Sequence, residues 1–260
     1  VSRRVARLTV DSLAALPDEV RTCVAWELDP VERARAEREG TAAEEKAAWL
    51  SRVLLEWGSC GRVVWIDDAV AGVVVYAPPA FLPGTVVMPT APVAEDAVQI
   101  ASAFVAEEHA GGGLGRLLMQ LAVKDVLQRG GYRAVECFGR EPGVSPDADA
   151  CCLPVEFLQR VGFRTARGHV RHPRLRLDLK SVVSWREEVE LAWERLLGAV
   201  RPPVPAPVPR ASSRGVSRET SRGASRVGRS AQPPSGDAWR SARRSAMRST
   251  PVWWSESGSR

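Results

Sequence analysis

Four glycines crowd into five positions, Gly111, Gly112, Gly113 and Gly115, and the apolar residues that follow fall at 114, 117, 118, 121 and 122. That spacing marks one face of a helix, so the glycines lead into a helix N-terminus. A first helical turn has amide hydrogens without internal acceptors and the positive end of the helix dipole, and glycines let a ligand reach the backbone. The chemistry on offer is anion binding. Two common phosphate loops are excluded by spacing. A P-loop needs Lys and then Ser or Thr after its last glycine, where Arg116 and Leu117 stand. A dinucleotide fingerprint G-x-G-x-x-G fails from Gly111, which meets Arg116 at the last position, and from Gly113, which meets Leu118.

The elements that must hold this turn are readable around it. Residues 98–105 carry Val98, Ile100 and Phe104 with small or apolar residues between them, a strand buried on both faces. Gly130-Gly131 ends the helix, and residues 134–138 form a second buried strand, completing a right-handed βαβ unit. Upstream, the pattern predicts a strand from Arg4 to Val10, helices over about 12–25 and 31–57 with Gly58 as the stop, and a hairpin of 62–66 and 69–76 around Asp67-Asp68. A Pro-rich connection spans 78–92, and 140–150 is irregular. Downstream come a short helix over 153–161 and strands near 163–169 and 173–179. The last of these sets Leu175, Leu177 and Leu179 against a solvent side of Arg174, Arg176, Asp178 and Lys180. Ser184-Trp185-Arg186-Glu187 is a capping box that opens a final helix.

The strand, glycine turn and helix together resemble the acyl-CoA loop of the GNAT superfamily of N-acyltransferases, whose pattern is [Q/R]-x-x-G-x-[G/A]. Ala110-Gly111-Gly112-Gly113-Leu114-Gly115 keeps both glycine positions and the hydrophobic residue between them. Ala110 replaces the opening Gln or Arg, which removes a charge-assisted contact of about 1.5–3 kcal/mol if desolvated. A second similarity is Leu158-Gln159-Arg160-Val161-Gly162-Phe163, which keeps the family's Gly-Phe turn but has Leu where a Tyr is common. The predicted order β-α-α-β-β-β-α-β-α-β-β matches the family topology over about residues 3–180. The resemblance implies an α/β (α+β) fold: a mixed, mostly antiparallel central sheet with a splayed parallel pair and flanking helices.

It also implies a chemistry, acetyl transfer from acetyl-CoA to an amine. Backbone groups around Phe104 and Val105 would hold the pantetheine arm and face the thioester carbonyl. Amides of Gly111, Gly112, Gly113, Gly115 and Arg116 would take the pyrophosphate. An alkylamine with a pKa near 10.4 is neutral in only about one molecule in 2,500 at pH 7, a cost of roughly 4.6 kcal/mol, so a base or a water wire is expected. Glu136, in a buried strand near the splay, is the candidate base. Gln99 occupies an early-strand position where some family members have a catalytic Glu, and an amide cannot take the proton. Glu107 and Glu108 flank the turn and are read as solvated, His109 as an exposed loop residue. Cys137, Cys151 and Cys152 are read as packing rather than as acyl carriers. A non-catalytic acyl-CoA-binding or regulatory module is the alternative, favoured by Ala110, Gln99 and Leu158.

Composition divides the chain in two. Residues 201–260 hold twelve Arg, no Lys and three acids, a net of +9, so the whole-chain +5 leaves −4 for residues 1–200. Residues 1–200 are therefore expected to be the acetyltransferase domain. The Pro-, Ser- and Arg-rich 201–260 is expected to be a disordered basic tail, with nucleic acid or an anionic surface as an open partner. Only three of the 36 basic residues are Lys, which suggests a GC-rich bacterial genome. Five cysteines without metal-ligand spacing, two isolated histidines at 169 and 172, and no secretory or membrane-length apolar run point to a cytoplasmic protein without a metal. The acceptor amine and a homodimer are left open.

Overall fold

The structure, a computed structural model, describes residues 2–144 and 151–182. The expected helix from Ser184 and the tail 201–260 lie outside the described residues. β1 (Arg3–Arg7) is followed by two single-turn helices, α1 (Val10–Leu13) and α2 (Asp18–Arg21), then α3 (Pro30–Glu39) and α4 (Ala42–Glu56). β2 (Gly61–Ile66), β3 (Ala69–Ala77) and β4 (Ala97–Val105) form a meander, and α5 (Leu114–Arg129) leads to β5 (Ala134–Arg140). The two-residue β6 (Leu153–Pro154), α6 (Val155–Val161), β7 (Arg164–Arg167) and β8 (Arg174–Asp178) complete the domain. The sheet runs β1-β2-β3-β4-β5-β8-β7, with β6 attached to β5. The pairs β4–β5 and β5–β6 are parallel and every other pair is antiparallel, the mixed sheet expected from the sequence.

Two of the expected helices are each broken in two. The span 12–25 is interrupted where Pro17 removes an amide donor, and the short α1 survives on a reciprocal Thr9–Ser12 capping box. The span 31–57 breaks at Gly40, whose φ of +71° closes α3 in a left-handed cap. At the start of α3 the Asp29 carboxylate accepts from the amides of Val31 and Glu32 at 2.8 and 2.9 Å. The hairpin turn is as expected, with Asp67 and Asp68 at φ +47° and +63°.

Two cores lie on opposite faces of the sheet. On one, α5 and α6 pack Leu114, Leu117, Leu118, Leu121 and Leu158 against Val74, Val98, Ile100, Val135, Leu175 and Leu177. On the other, α1, α2, α4 and the 81–94 segment pack Leu13, Val20, Trp49, Leu50, Leu82 and Val93 over Val63, Val73, Val75, Ala101 and Phe138. Each buried aliphatic side chain of this size contributes about 1.5–3 kcal/mol.

Between these cores β4 carries a bulge. Val75 pairs with Ser102 and Tyr76 with Ile100, leaving Ala101 opposite no partner. The alternation therefore shifts by one. Val98, Ile100, Ala103 and Val105 face α5, whereas Ala97, Ala101 and Phe104 belong to the other core.

Candidate active site

β4 and β5 pair only from Ala97↔Ala134 to Gln99↔Glu136, and beyond Gln99 no residue of β4 pairs with β5. β8 and its extension line the other edge of β5, through Glu136↔Arg176, Phe138↔Arg174 and the bonds from Gly139 and Glu141 to the carbonyls of Pro173 and Arg171. β6, paired at Gly139↔Leu153, must therefore lie on the edge that β4 has left. The result is a gap in the sheet with β4 backbone groups from Ile100 to Val105 along one side. Phe104, half-buried, and Val105, buried, stand at its far end.

The glycine turn lies just past that end. Gly113 is the N-cap of α5 with φ +83°, and Gly111 has φ +75°. Both sit in the left-handed region that side chains disfavour, and a Cβ at either would meet nothing within 4 Å. Glycine is thus required here by backbone angle and not by crowding. Gly111, Gly112 and Gly113 are exposed, as is Arg116, while Gly115 is buried. The helix ladder begins with Leu117 donating to Gly113 at 3.1 Å, and the first amides of a helix have no acceptor within it. Glu107 and Glu108 are exposed, as the sequence suggested.

Glu136 is buried, on the sheet face away from α5, and three donors hold its carboxylate. Arg176 Nη1 reaches Oε1 at 3.1 Å, Arg174 Nη1 reaches Oε2 at 3.0 Å, and the Ala94 amide donates to Oε2 at 3.2 Å. Arg176 also holds both Asp96 oxygens at 2.9 and 3.0 Å and Asp178 at 2.8 Å. These carboxylates hold the Arg176 guanidinium well above its ordinary pKa, with Asp96 contributing most. Asp96 is pulled below its ordinary value by the same pair. Arg174 and Arg176 are thus not on a solvent side, as their alternation suggested. Their side chains are 15% and 23% exposed because the 78–96 connection folds across them, with the Pro92 carbonyl accepting from Arg174. The sequence carried no signal for this pairing, since 40 residues separate Glu136 from Arg176.

Gln99, beside Glu136 in the neighbouring strand, is wholly buried, and neither amide atom has a partner among the described residues. Leu158 is buried in the α5-side core. Both tyrosines of the chain are engaged elsewhere: Tyr76 donates to Asp125, and Tyr132 accepts from Trp57 Nε1 at 3.1 Å. Burial and the Asp125 carboxylate push the Tyr76 phenol far up.

The helical cover over this face has its own buried charges. Lys46 and Glu27, each 1% exposed, are paired directly, and Lys46 Nζ donates to the Cys23 carbonyl at 2.8 Å. Cys23 differs from the inert thiols expected of this chain. A hydrogen bond with the Cys151 thiol, opposed by burial and helped by Lys46, lowers the Cys23 thiol to about 7. Cys137 follows expectation, with burial pushing its thiol well up. His169 accepts from the amides of Arg171 and His172 at 3.3 and 3.1 Å, closing a turn. Among the described residues no cluster of three or more His, Cys, Asp or Glu could hold a metal, and no helix is long and apolar enough to cross a membrane.

The model of the Acetyltransferase (GNAT) family matches residues 23–150, which span α3 to β5 and include the whole glycine turn. The chain carries a GNAT acetyltransferase domain. No curated protein matches it. Solved structures similar to it include the PaiA N-acetyltransferase of Thermoplasma acidophilum in complex with coenzyme A, at 11% identity and a TM-score of 0.45, covering 68% of this chain and 99% of that one. The yncA protein of Salmonella typhimurium, with its cofactor acetyl-CoA, aligns at 15% identity and TM-score 0.45 over 68% and 94% of the two chains. An N-acetyltransferase from Staphylococcus aureus Mu50 aligns at 15% and 0.45, over 69% and 99%. The turn at 110–115, expected from the sequence to be the family's loop, lies within the matched residues.

Proposed function

We propose that this chain transfers an acetyl group from acetyl-CoA to an amine by direct attack within a ternary complex, with residues 1–200 as the transferase domain and 201–260 as an accessory tail. The observation that carries this reading is the gap left where β4 parts from β5, opening beside an exposed glycine turn that caps α5. Amides of Gly111, Gly112, Gly113, Gly115 and Arg116 take the diphosphate. Backbone groups of β4 near Phe104 and Val105 align the pantetheine arm, and an amide directed at the thioester carbonyl stabilises the developing oxyanion by about 2.7–4 kcal/mol.

The amine approaches from the face that carries Glu136. Three donors occupy that carboxylate, out of the roughly four lone-pair sites a carboxylate offers. Glu136 therefore has one position left to receive a proton, directly or through a water. With Leu158 at the position where a Tyr is common in the family, the departing thiolate takes its proton from water or another group. The non-catalytic alternative is favoured by the same crowding of Glu136 together with the engagement of both tyrosines.

Thiol release from acetyl-CoA over an amine panel separates the two readings: turnover on any amine above the hydrolysis background supports transfer, and binding without turnover supports the module. Glu136→Gln tests the base. If Glu136 takes the proton, kcat falls about 10²-fold or more with KM little changed. If it only anchors Arg174 and Arg176, melting temperature falls and kcat does not.

A further inference from the structure

Buried polar atoms in folded proteins nearly always have partners, so a concentration of unpartnered ones on a single surface marks a place where a ligand belongs. Such a concentration lies on the sheet face turned away from α5. It comprises both amide atoms of Gln99, Ser102 Oγ, Trp26 Nε1, Arg174 Nε and Arg140 Nη1. Gln99 and Ser102 project from β4, Arg140 from β5, and Trp26 comes from the segment that covers them, its ring 5.6 Å from that of Phe138.

Strand register puts Ser102 and Arg140 opposite one another across the gap. The last paired residues are Gln99 and Glu136; Ser102 lies three positions beyond the first, and Arg140 four beyond the second. Gly139 turns towards Leu175 and Val155 of the α5-side core, so its neighbour Arg140 turns the other way. Arg140 is 8% exposed, and its Nη1 is buried with no partner among the described residues. A buried guanidinium is costly without a counter-charge.

The charges nearby do not supply one. Glu136 is shared by Arg174 and Arg176, and Asp96 and Asp178 are both committed to Arg176. Among the described residues Arg140 is the cation on this face left without an acid, and a guanidinium fork fits a carboxylate in bidentate fashion. A phosphate dianion would call for a second free cation, and the other arginines of known partner here are already matched. Trp26 and Phe138 offer an apolar wall beside it.

We infer that the acceptor is a small amine bearing a free carboxylate, of the amino-acid class, with Arg140 binding the carboxylate and Gln99, Ser102 and Trp26 completing its hydrogen bonds. This rests on the acetyl-transfer reading above. A polyamine or an internal peptide lysine lacks the anion that Arg140 requires.

The test compares pooled free amino acids, the matching amino-acid amides and the matching decarboxylated amines as acceptors in acetyl-CoA thiol release. The free acids are expected to exceed the amides about tenfold or more in kcat/KM. Arg140→Gln should raise KM for the acids by a similar factor and erase that preference, while Arg140→Lys, which keeps the charge but loses the fork, retains part of it. Amides or amines turned over as well as acids, or a preference that survives in the folded Arg140→Gln protein, overturns the inference. Calorimetry with acetyl-CoA runs alongside. Donor heat without turnover of any acid overturns the carboxylate inference alone. Absence of donor heat removes the acetyl-transfer reading, and direct titration of the amino-acid pool into the protein then decides whether Arg140 holds a carboxylate.

Discussion

The two faces of this sheet are built on opposite principles. The α5 face is closed by side chains that are almost all apolar, and what it holds in position is backbone, the glycine turn before Leu114. The other face buries Gln99, Ser102, Glu136, Arg140 and the Lys46–Glu27 pair, and what it offers is side-chain chemistry. A ligand common to every member of a family can be held by main-chain amides on a rigid apolar platform. A ligand particular to one member must be read by side chains, at the cost of burying polar groups.

If that contrast holds, the largest losses of stability come from upsetting the charges on the second face. Lys46→Met leaves Glu27 buried alone and should cost about 3–5 kcal/mol, whereas Glu27→Leu combined with Lys46→Met should recover most of it, as thermal or urea unfolding will show. The pair also gives a pH signature. Burial lowers the Lys46 pKa, but Glu27 and Cys23 raise it further, leaving the folded value above the ordinary 10.5. Its contribution to stability is therefore complete below about pH 10 and lost as the pH rises through the folded value, a decline that the apolar double variant should lack.

Next in size is a packing lesion in the cover of that face. A Cβ on Gly84 would stand 2.1 Å from the Ala25 carbonyl oxygen and 2.5 Å from that of Leu28. Both obstacles are backbone. Gly84→Ala should cost about 1–3 kcal/mol and loosen the segment that carries Trp26, read as a lower melting temperature.

On the first face the expectation reverses: Gly113→Glu should change stability by only about 1–2 kcal/mol, the cost of a left-handed angle, yet abolish the calorimetric heat of acetyl-CoA by placing a carboxylate where the diphosphate is proposed to bind. The smallest effect is on reactivity. Cys23, partly exposed and lowered to about 7, should react with iodoacetamide with a midpoint near that pH, while Cys60, buried and pushed up to about 12, stays unmodified in the native protein, as peptide mapping will show.

The same contrast decided what could be read from the sequence. The α5 face was legible because its elements are local: the spacing of Leu114, Leu117, Leu118 and Leu121 and the apolar run before the glycines survive any tertiary context. The broken helices were not, because Gly40 sits inside an unbroken pattern of charged and small residues that tolerates either outcome. On the second face, Glu136 could be named from its strand, but its partners Arg174 and Arg176 come from the far side of the chain and depend on register between β5 and β8. Arg140 was missed because the strand was expected to stop at Phe138, two residues short of its observed end.

The unpaired Ala101 ties both faces to the length of one strand. Because it sets the parity of every position after it, loss of a single residue between Ile100 and Ser102 would swing Ala103 and Val105 out of the α5-side core and drive Ser102 and Phe104 into it. Point replacements in this strand can retune one surface while sparing the other. An insertion or deletion disturbs both surfaces together.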